Sequence, residues 1–174
     1  VMMRRGTYPM MPAFPMVPGL EAAGTIEEVG EGVTDLKAGQ SVVVVGPRSY
    51  AEYLVADAPA VYLLPRGTDP DAAAALPVNY LTVYHMLHTM AHAAPGQTVL
   101  IYSAAGGVGT AAIQLGKIGQ LTLIGLTSTD DKAHYARRQG IDHIINYKTE
   151  DPVRRVMEIT GNRGVDIILN AVAG

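Results

Sequence analysis

The chain of 174 residues contains no cysteine. Disulfides, thiolate metal sites and cysteine nucleophiles are excluded from it, and the composition suits a cytoplasmic protein. Long apolar runs are also missing. None approaches the roughly 18 consecutive residues that span a bilayer, so no membrane partner is expected. No signal-peptide pattern is visible. Basic residues are scattered within a formal net charge of −3, and the pairs Arg137–Arg138 and Arg154–Arg155 read as solvated helix faces. Without a basic stripe, no nucleic-acid partner is expected. A G-x-S-x-G hydrolase motif, internal repeats and low-complexity tracts are absent as well. Against these absences stands a hydrophobic fraction of 48% with 17% charged residues, enough for a sizeable core in one compact domain or two small ones.

The two halves differ in pattern. Up to about residue 70, Pro9, Pro12, Pro15 and Pro18 precede "GTIEEVG" (Thr25 to Gly30 and the glycine before it), "QSVVVVG" (Gln40 to Gly46) and "AEYLVADAPAVYLLP" (Ala51 to Pro65). Short β-branched runs separated by turn residues predict an irregular β domain. The second half alternates. Strands are expected at Thr98–Tyr102, Leu121–Leu126, His143–Ile145 and Val165–Leu169. Helices are expected near Gly107–Gly119, Asp130–Gln139 and Glu150–Thr160. That order implies a parallel sheet covered by helices on both faces. Between the halves, Asp71 to Ala93 reads as helix, broken at Pro77.

The first strand of the second half ends in "SAAGGVG". Glycines at a strand–helix junction let the backbone turn tightly and approach a pyrophosphate, which then meets the positive end of the helix. Gly106 and Gly109 occupy the second and third positions of G-x-G-x-x-G, and Ala104 stands at the first. The motif is weak alone, since small residues also serve packing, but a strand before it and a helix after it point to a dinucleotide. NAD sites place a carboxylate about 20 residues further on, at the next strand tip. Here that tip is Leu126-Thr127-Ser128, neutral and hydroxyl-rich, with Lys132 one helical turn beyond. A 2′-phosphate suits such donors, which favours NADPH. The same stretch, Thr127 to Asp131, also suits a helix cap.

His85, His88 and His92 share one face of the expected helix at spacings of three and four. Val83, Leu87 and Met90 lie opposite and should enter the core. No carboxylate at matching spacing accompanies the histidines, so a metal site is not assigned. The acid pairs Glu27–Glu28 and Asp130–Asp131 are sequence neighbours and read as solvated turns.

Together, "PGLEAAGTIEEVGEGVTDLKAGQSV", "AAALPVNYLTVYHML" and "AAGGVG" resemble the zinc-independent, zeta-crystallin-like quinone oxidoreductases of the medium-chain dehydrogenase/reductase superfamily. The resemblance runs from Arg4 to the last residue. It implies part of a GroES-like β domain (residues 1–78), the catalytic domain, followed by part of a Rossmann domain, a doubly wound parallel α/β sheet (residues 79–174). The active site would lie in the cleft between them, and further strands would precede Val1 and follow Gly174. It also implies roles for particular residues. Gly106, Gly107, Val108 and Gly109 match the pyrophosphate loop, and Thr82 a threonine near the nicotinamide. Lys132 and Tyr147 match the pair that holds the 2′-phosphate and adenosine ribose, with Ser128 beside them. Asn170 to Gly174 match the segment near the nicotinamide ribose. Two departures bear on chemistry. Leu20, between Gly19 and Glu21, replaces the zinc-ligating histidine of the zinc alcohol dehydrogenases. Met2 stands where many members carry a tyrosine near the cofactor, leaving Tyr8 as a weak catalytic candidate.

The activity so implied is NADPH-dependent hydride transfer to a quinone or α,β-unsaturated carbonyl, without metal, in a full-length homodimer. Such electron-poor acceptors need only hydrogen-bond donors near the carbonyl oxygen. Two other readings fit the same pattern: an enoyl reductase domain of a polyketide or fatty-acid synthase, and a non-catalytic NADPH-binding protein with a structural or interaction role.

Overall fold

The computed structural model describes residues 5–7 and 13–171, and the chain divides into two compact units between Val78 and Asn79. In the first unit, β1 (Glu21–Thr25), β2 (Ser41–Val45) and β3 (Val61–Leu63) form an antiparallel sheet in that order. The valine run makes β2 the central strand. Period two buries Val42 and Val44 on one face, and the register pairs Val43 with both Ala23 and Tyr62. The expected strand signal at Thr25–Gly30 contributes only Thr25, because the pairing partner of β2 is the stretch before it. In the same way, only Val61–Leu63 of Ala51–Pro65 is a strand.

A short helix, α1 (Pro70–Ala74), starts where the Asp69 carboxylate accepts from the Asp71 N–H at 3.1 Å. Pro77 then opens α2 (Pro77–Tyr84), as a proline at the first helical position does. The Glu21 carboxylate accepts from the Val78 N–H at 2.7 Å, placing an anion at the positive end of α2.

The second unit contains β4 (Thr98–Ile101), α3 (Gly107–Ile118), β5 (Thr122–Thr127), α4 (Asp130–Arg138), β6 (His143–Asn146), α5 (Pro152–Ile159) and β7 (Ile167–Leu169). Its four strands are parallel in the order β6-β5-β4-β7. All of β4 is buried, which explains its continuous apolar run. Successive residues feed opposite layers. Val99 and Ile101 pack with Ala111, Ile113, Leu123 and Ala136 beneath α3 and α4. Leu100 packs with Ile124, Leu126, Ile145 and Val156 beneath α5. The strand order reverses at β4, and open α/β sheets bind ligands at the carboxyl ends of strands beside such a switch.

One expectation fails at the end of α2. Val83 and Leu87 are buried in the core, but Met90 is 69% exposed. Residues His85–Met90 form a π-helical segment, whose wider turn shifts the phase of the helix after Leu87. His85, His88 and His92 are all exposed, and His88 stacks on Tyr84 with ring centroids 4.5 Å apart.

Candidate functional site

A cavity of about 520 Å³ lies at the carboxyl ends of β4, β5 and β6. Tyr102, Ser103 and Gly106 line the β4 side, Thr127, Ser128 and Lys132 the β5 side, and Tyr147 the β6 side. Ala105, Leu126 and Pro152 complete its wall. The register explains this convergence, since Ile101 pairs with Gly125 and Thr127 with Asn146, bringing three strand tips together.

The glycines of the β4–α3 loop are bare for different reasons. A Cβ on Gly109 would lie 2.4 Å from the Ser103 carbonyl oxygen and 2.6 Å from the Ala104 carbonyl carbon. Gly109 therefore sets the closeness of helix and loop. A Cβ on Gly107 would meet the Asn79 side chain at 2.7 Å. Gly106 differs. Its backbone is ordinary extended chain, φ −85° and ψ 175°, and its nearest obstacle is the Ser103 carbonyl oxygen at 3.3 Å. It caps α3 with no side chain and lines the cavity.

Ala104, at the first position of the motif, is fully buried. A Cβ on Gly125 of β5 would fall 2.7 Å from the Ala104 Cβ. The methyl that departs from the glycine pattern thus fills the space left by a glycine on the neighbouring strand.

At the other side of the cavity, the Thr129 hydroxyl caps α4 by accepting from the Lys132 N–H at 3.3 Å. This first turn places the Lys132 ammonium over the strand tip, where it donates to the Ser128 hydroxyl at 3.3 Å. The Tyr147 N–H donates to the Thr127 carbonyl at 3.1 Å, fixing Tyr147 on the same rim. Lys148 lies 5.6 Å from the centre of the Tyr147 ring. Asp130 and Asp131 stand in the first turn of α4, where the helix dipole favours them. The Asp130 carboxylate accepts from the Asn146 amide at 3.1 Å.

Of the residues expected from the sequence, Gly106, Ser128, Lys132 and Tyr147 come together around this cavity. Gly107, Val108 and Gly109 form the first turn of α3 without lining it, and Val108 packs against the core. Thr82 is exposed on α2, three residues beyond Asn79. Asn170 follows β7, whose Leu169 carbonyl accepts from the Tyr102 N–H at 3.0 Å beside the switch point. Met2, Tyr8 and Gly174 lie outside the described residues. Ser103 was missed by sequence reasoning. Its φ of 52° puts a serine in the left-handed region at the cavity wall, and no residue-type signal announces that.

The donors present fit an adenosine nucleotide with phosphates at both ends of its ribose. A bare helix start would meet one phosphate, and an ammonium with two hydroxyl-bearing neighbours would meet the other. Among the described residues, no group of three or more His, Cys, Asp or Glu side chains is placed to hold a metal ion, and Leu20 follows Gly19.

Residues 1–66 match the alcohol dehydrogenase GroES-like domain family, and residues 107–174 match the zinc-binding dehydrogenase family. The chain is 42% identical over its whole length to a synaptic vesicle membrane protein VAT-1 homolog of Danio rerio, covering 36% of that protein. It is 37% identical, over 90% of its length, to 6% of the reducing polyketide synthase PKS1 of Cochliobolus heterostrophus. Among solved structures, Escherichia coli quinone oxidoreductase complexed with NADPH superimposes with a TM-score of 0.92 at 36% identity. That match covers 99% of this chain and 53% of the other. This chain therefore spans about half or less of the proteins it resembles. A GroES-like unit followed by a parallel Rossmann-like sheet defines the class: the chain belongs to the medium-chain dehydrogenase/reductase superfamily. Within it, the place of this chain is the zeta-crystallin-like group.

Proposed function

We propose that this chain is the cofactor-holding portion of an NADPH-dependent oxidoreductase that passes hydride to a quinone or an α,β-unsaturated carbonyl without zinc. The observation that carries this reading is the strand tip. Where a carboxylate would select NAD, β5 ends at Thr127 and is followed by Ser128, with the Lys132 ammonium 3.3 Å from the Ser128 hydroxyl. Ser128, Lys132 and Tyr147 bind the 2′-phosphate and adenosine ribose, and Gly106 admits the pyrophosphate at the start of α3. Bound NADPH supplies the hydride. The chain positions it at the carboxyl ends of β4 and β5.

The test is calorimetric titration of the chain with 2′,5′-ADP against 5′-AMP. A preference of at least about tenfold for 2′,5′-ADP, corresponding to ~1.4 kcal/mol, is expected, and Lys132→Ala should abolish it. Equal affinity for the two ligands overturns the NADPH assignment. The resemblance to a polyketide synthase supports a second reading, an enoyl reductase domain. Turnover of an enoyl thioester by the full-length protein, with none on simple quinones, would select it.

A further inference from the structure

Gly107, between the second and third positions of the glycine motif, is the first residue of α3 and is exposed. Its backbone is not left-handed and it does not line the cavity, so neither strain nor a ligand requires a glycine there. Alanine would be the better helix former. The obstacle is Asn79. Outside the helix, the three heavy atoms nearest to a Cβ on Gly107 would be the Asn79 Oδ1 at 2.7 Å, Cγ at 3.0 Å and Nδ2 at 3.0 Å. The whole amide therefore lies over Gly107, where a side chain would otherwise stand. α2 holds it there. The next residue, Tyr80, donates its hydroxyl to the Gln114 side-chain carbonyl, about two turns further along α3. Val83 is buried in the same core as Ala111 and Ile113 of α3.

We infer that Asn79 is a positioning residue for the nucleotide's 5′-phosphate: its amide supports the bare first turn of α3, and, being neutral, it leaves the positive end of that helix to the ligand. The inference rests on the nucleotide reading above but is independent of the 2′-phosphate. A helix start binds a phosphate well only if its N–H groups are held in one place, because hydrogen bonds weaken as alignment is lost. Of Gly106 to Gly109, only Val108 carries a side chain. The turn therefore takes its support from outside, and the Asn79 amide supplies it on the Gly107 side. A carboxylate in the same place would stabilise the empty helix and compete with the phosphate, whereas the amide has the same shape without the charge. Asn79 thus acts on the 5′-phosphate, and Lys132 on the 2′-phosphate.

The test is calorimetric titration of the chain with 5′-AMP, 2′,5′-ADP and 2′-AMP, beside thermal unfolding. The variants are Asn79→Ala, Asn79→Asp, and Asn79→Ala combined with Gly107→Ala. Asn79→Ala should weaken 5′-AMP and 2′,5′-ADP alike, by about three- to tenfold, and leave 2′-AMP, which lacks the 5′-phosphate, unchanged. A merely structural role would weaken all three. In the double variant the new methyl takes the place of the amide, and affinity for both 5′-phosphates should return to within about twofold of the wild type. Asn79→Asp should keep or raise the unfolding temperature and yet weaken both by at least about tenfold. Wild-type affinity of Asn79→Ala for 5′-AMP overturns the proposal, as does an equal loss on all three nucleotides or a double variant no better than Asn79→Ala. Should Asn79→Ala fail to fold, wild-type affinity of Asn79→Asp for 5′-AMP overturns it instead. If the wild type binds 5′-AMP and 2′,5′-ADP equally, only the 2′-phosphate assignment fails, and the variants still decide the role of Asn79. If it binds neither, both readings fail.

Discussion

The exchange of a methyl between Ala104 and Gly125 makes a quantitative prediction about how this loop departs from the glycine pattern. Gly125→Ala places a Cβ 2.5 Å from the Ile141 Cδ1, 2.7 Å from the Ala104 Cβ and 3.0 Å from the Ile144 Cδ1. The isoleucine ends can rotate, but the Ala104 methyl is fixed to its backbone, so overpacking should cost about 1–3 kcal/mol. Ala104→Gly removes a fully buried methyl and adds backbone entropy to the unfolded chain, together about 1.3–1.8 kcal/mol. In the double variant the methyl has moved from the β4–α3 loop to β5, and the closest fixed contact is gone. It should recover about 1 kcal/mol or more relative to the sum of the singles. Urea unfolding resolves this, because slopes near ~2 kcal/mol/M turn each kilocalorie into roughly 0.5 M of midpoint. Strict additivity of the two substitutions, within about 0.5 kcal/mol, would refute the reciprocal packing.

Other predictions concern the same loop and the second unit around it. Gly106→Ala should change stability by less than about 1 kcal/mol yet lower nucleotide affinity, measured by unfolding and titration, because its Cβ meets little protein. Gly109→Ala should lower both, by about 2 kcal/mol or more in stability, since its Cβ strikes backbone atoms under 3 Å away. Ser103→Gly should stabilise the free chain by roughly 0.5–1 kcal/mol in thermal unfolding, relieving a left-handed serine. Burial raises the Asp142 carboxyl, but hydrogen bonds from Lys117 and the Leu123 N–H, with the Lys117 and His143 charges, outweigh it and hold it below its ordinary value. A folded-state pKa below the unfolded one stabilises above the unfolded value, and that stabilisation is lost as pH falls through the folded one. In Asp142→Asn the decline of stability below about pH 4 should therefore be shallower, as pH-dependent unfolding would reveal.

What the sequence made legible follows from where its information is local. The parallel strands were readable because burial on both faces leaves uninterrupted apolar runs, as at Thr98–Ile101 and Thr122–Thr127. The α3 and α4 boundaries were readable because Gly106 and Thr129 are caps. Thr25–Gly30 misled because β-branched residues next to a strand carry the same signal as the strand, and only pairing with β2 decides between them. Met90 was misplaced because a π-helical segment changes the period on which face assignment depends.

The candidate site divides along the same line. Lys132 and Ser128 are four residues apart on one capped turn, so their meeting could be read from spacing. Ala104 was recognisable as a departure from the motif, but not as one already accommodated. Its partner, Gly125, lies on the next strand, and the contact exists only in the register that sets Ile101 against Gly125. Thr127 is the sharper case. Its sequence neighbours mark it as one hydroxyl of a polar strand tip, whereas the fold buries it without a partner beside a cavity.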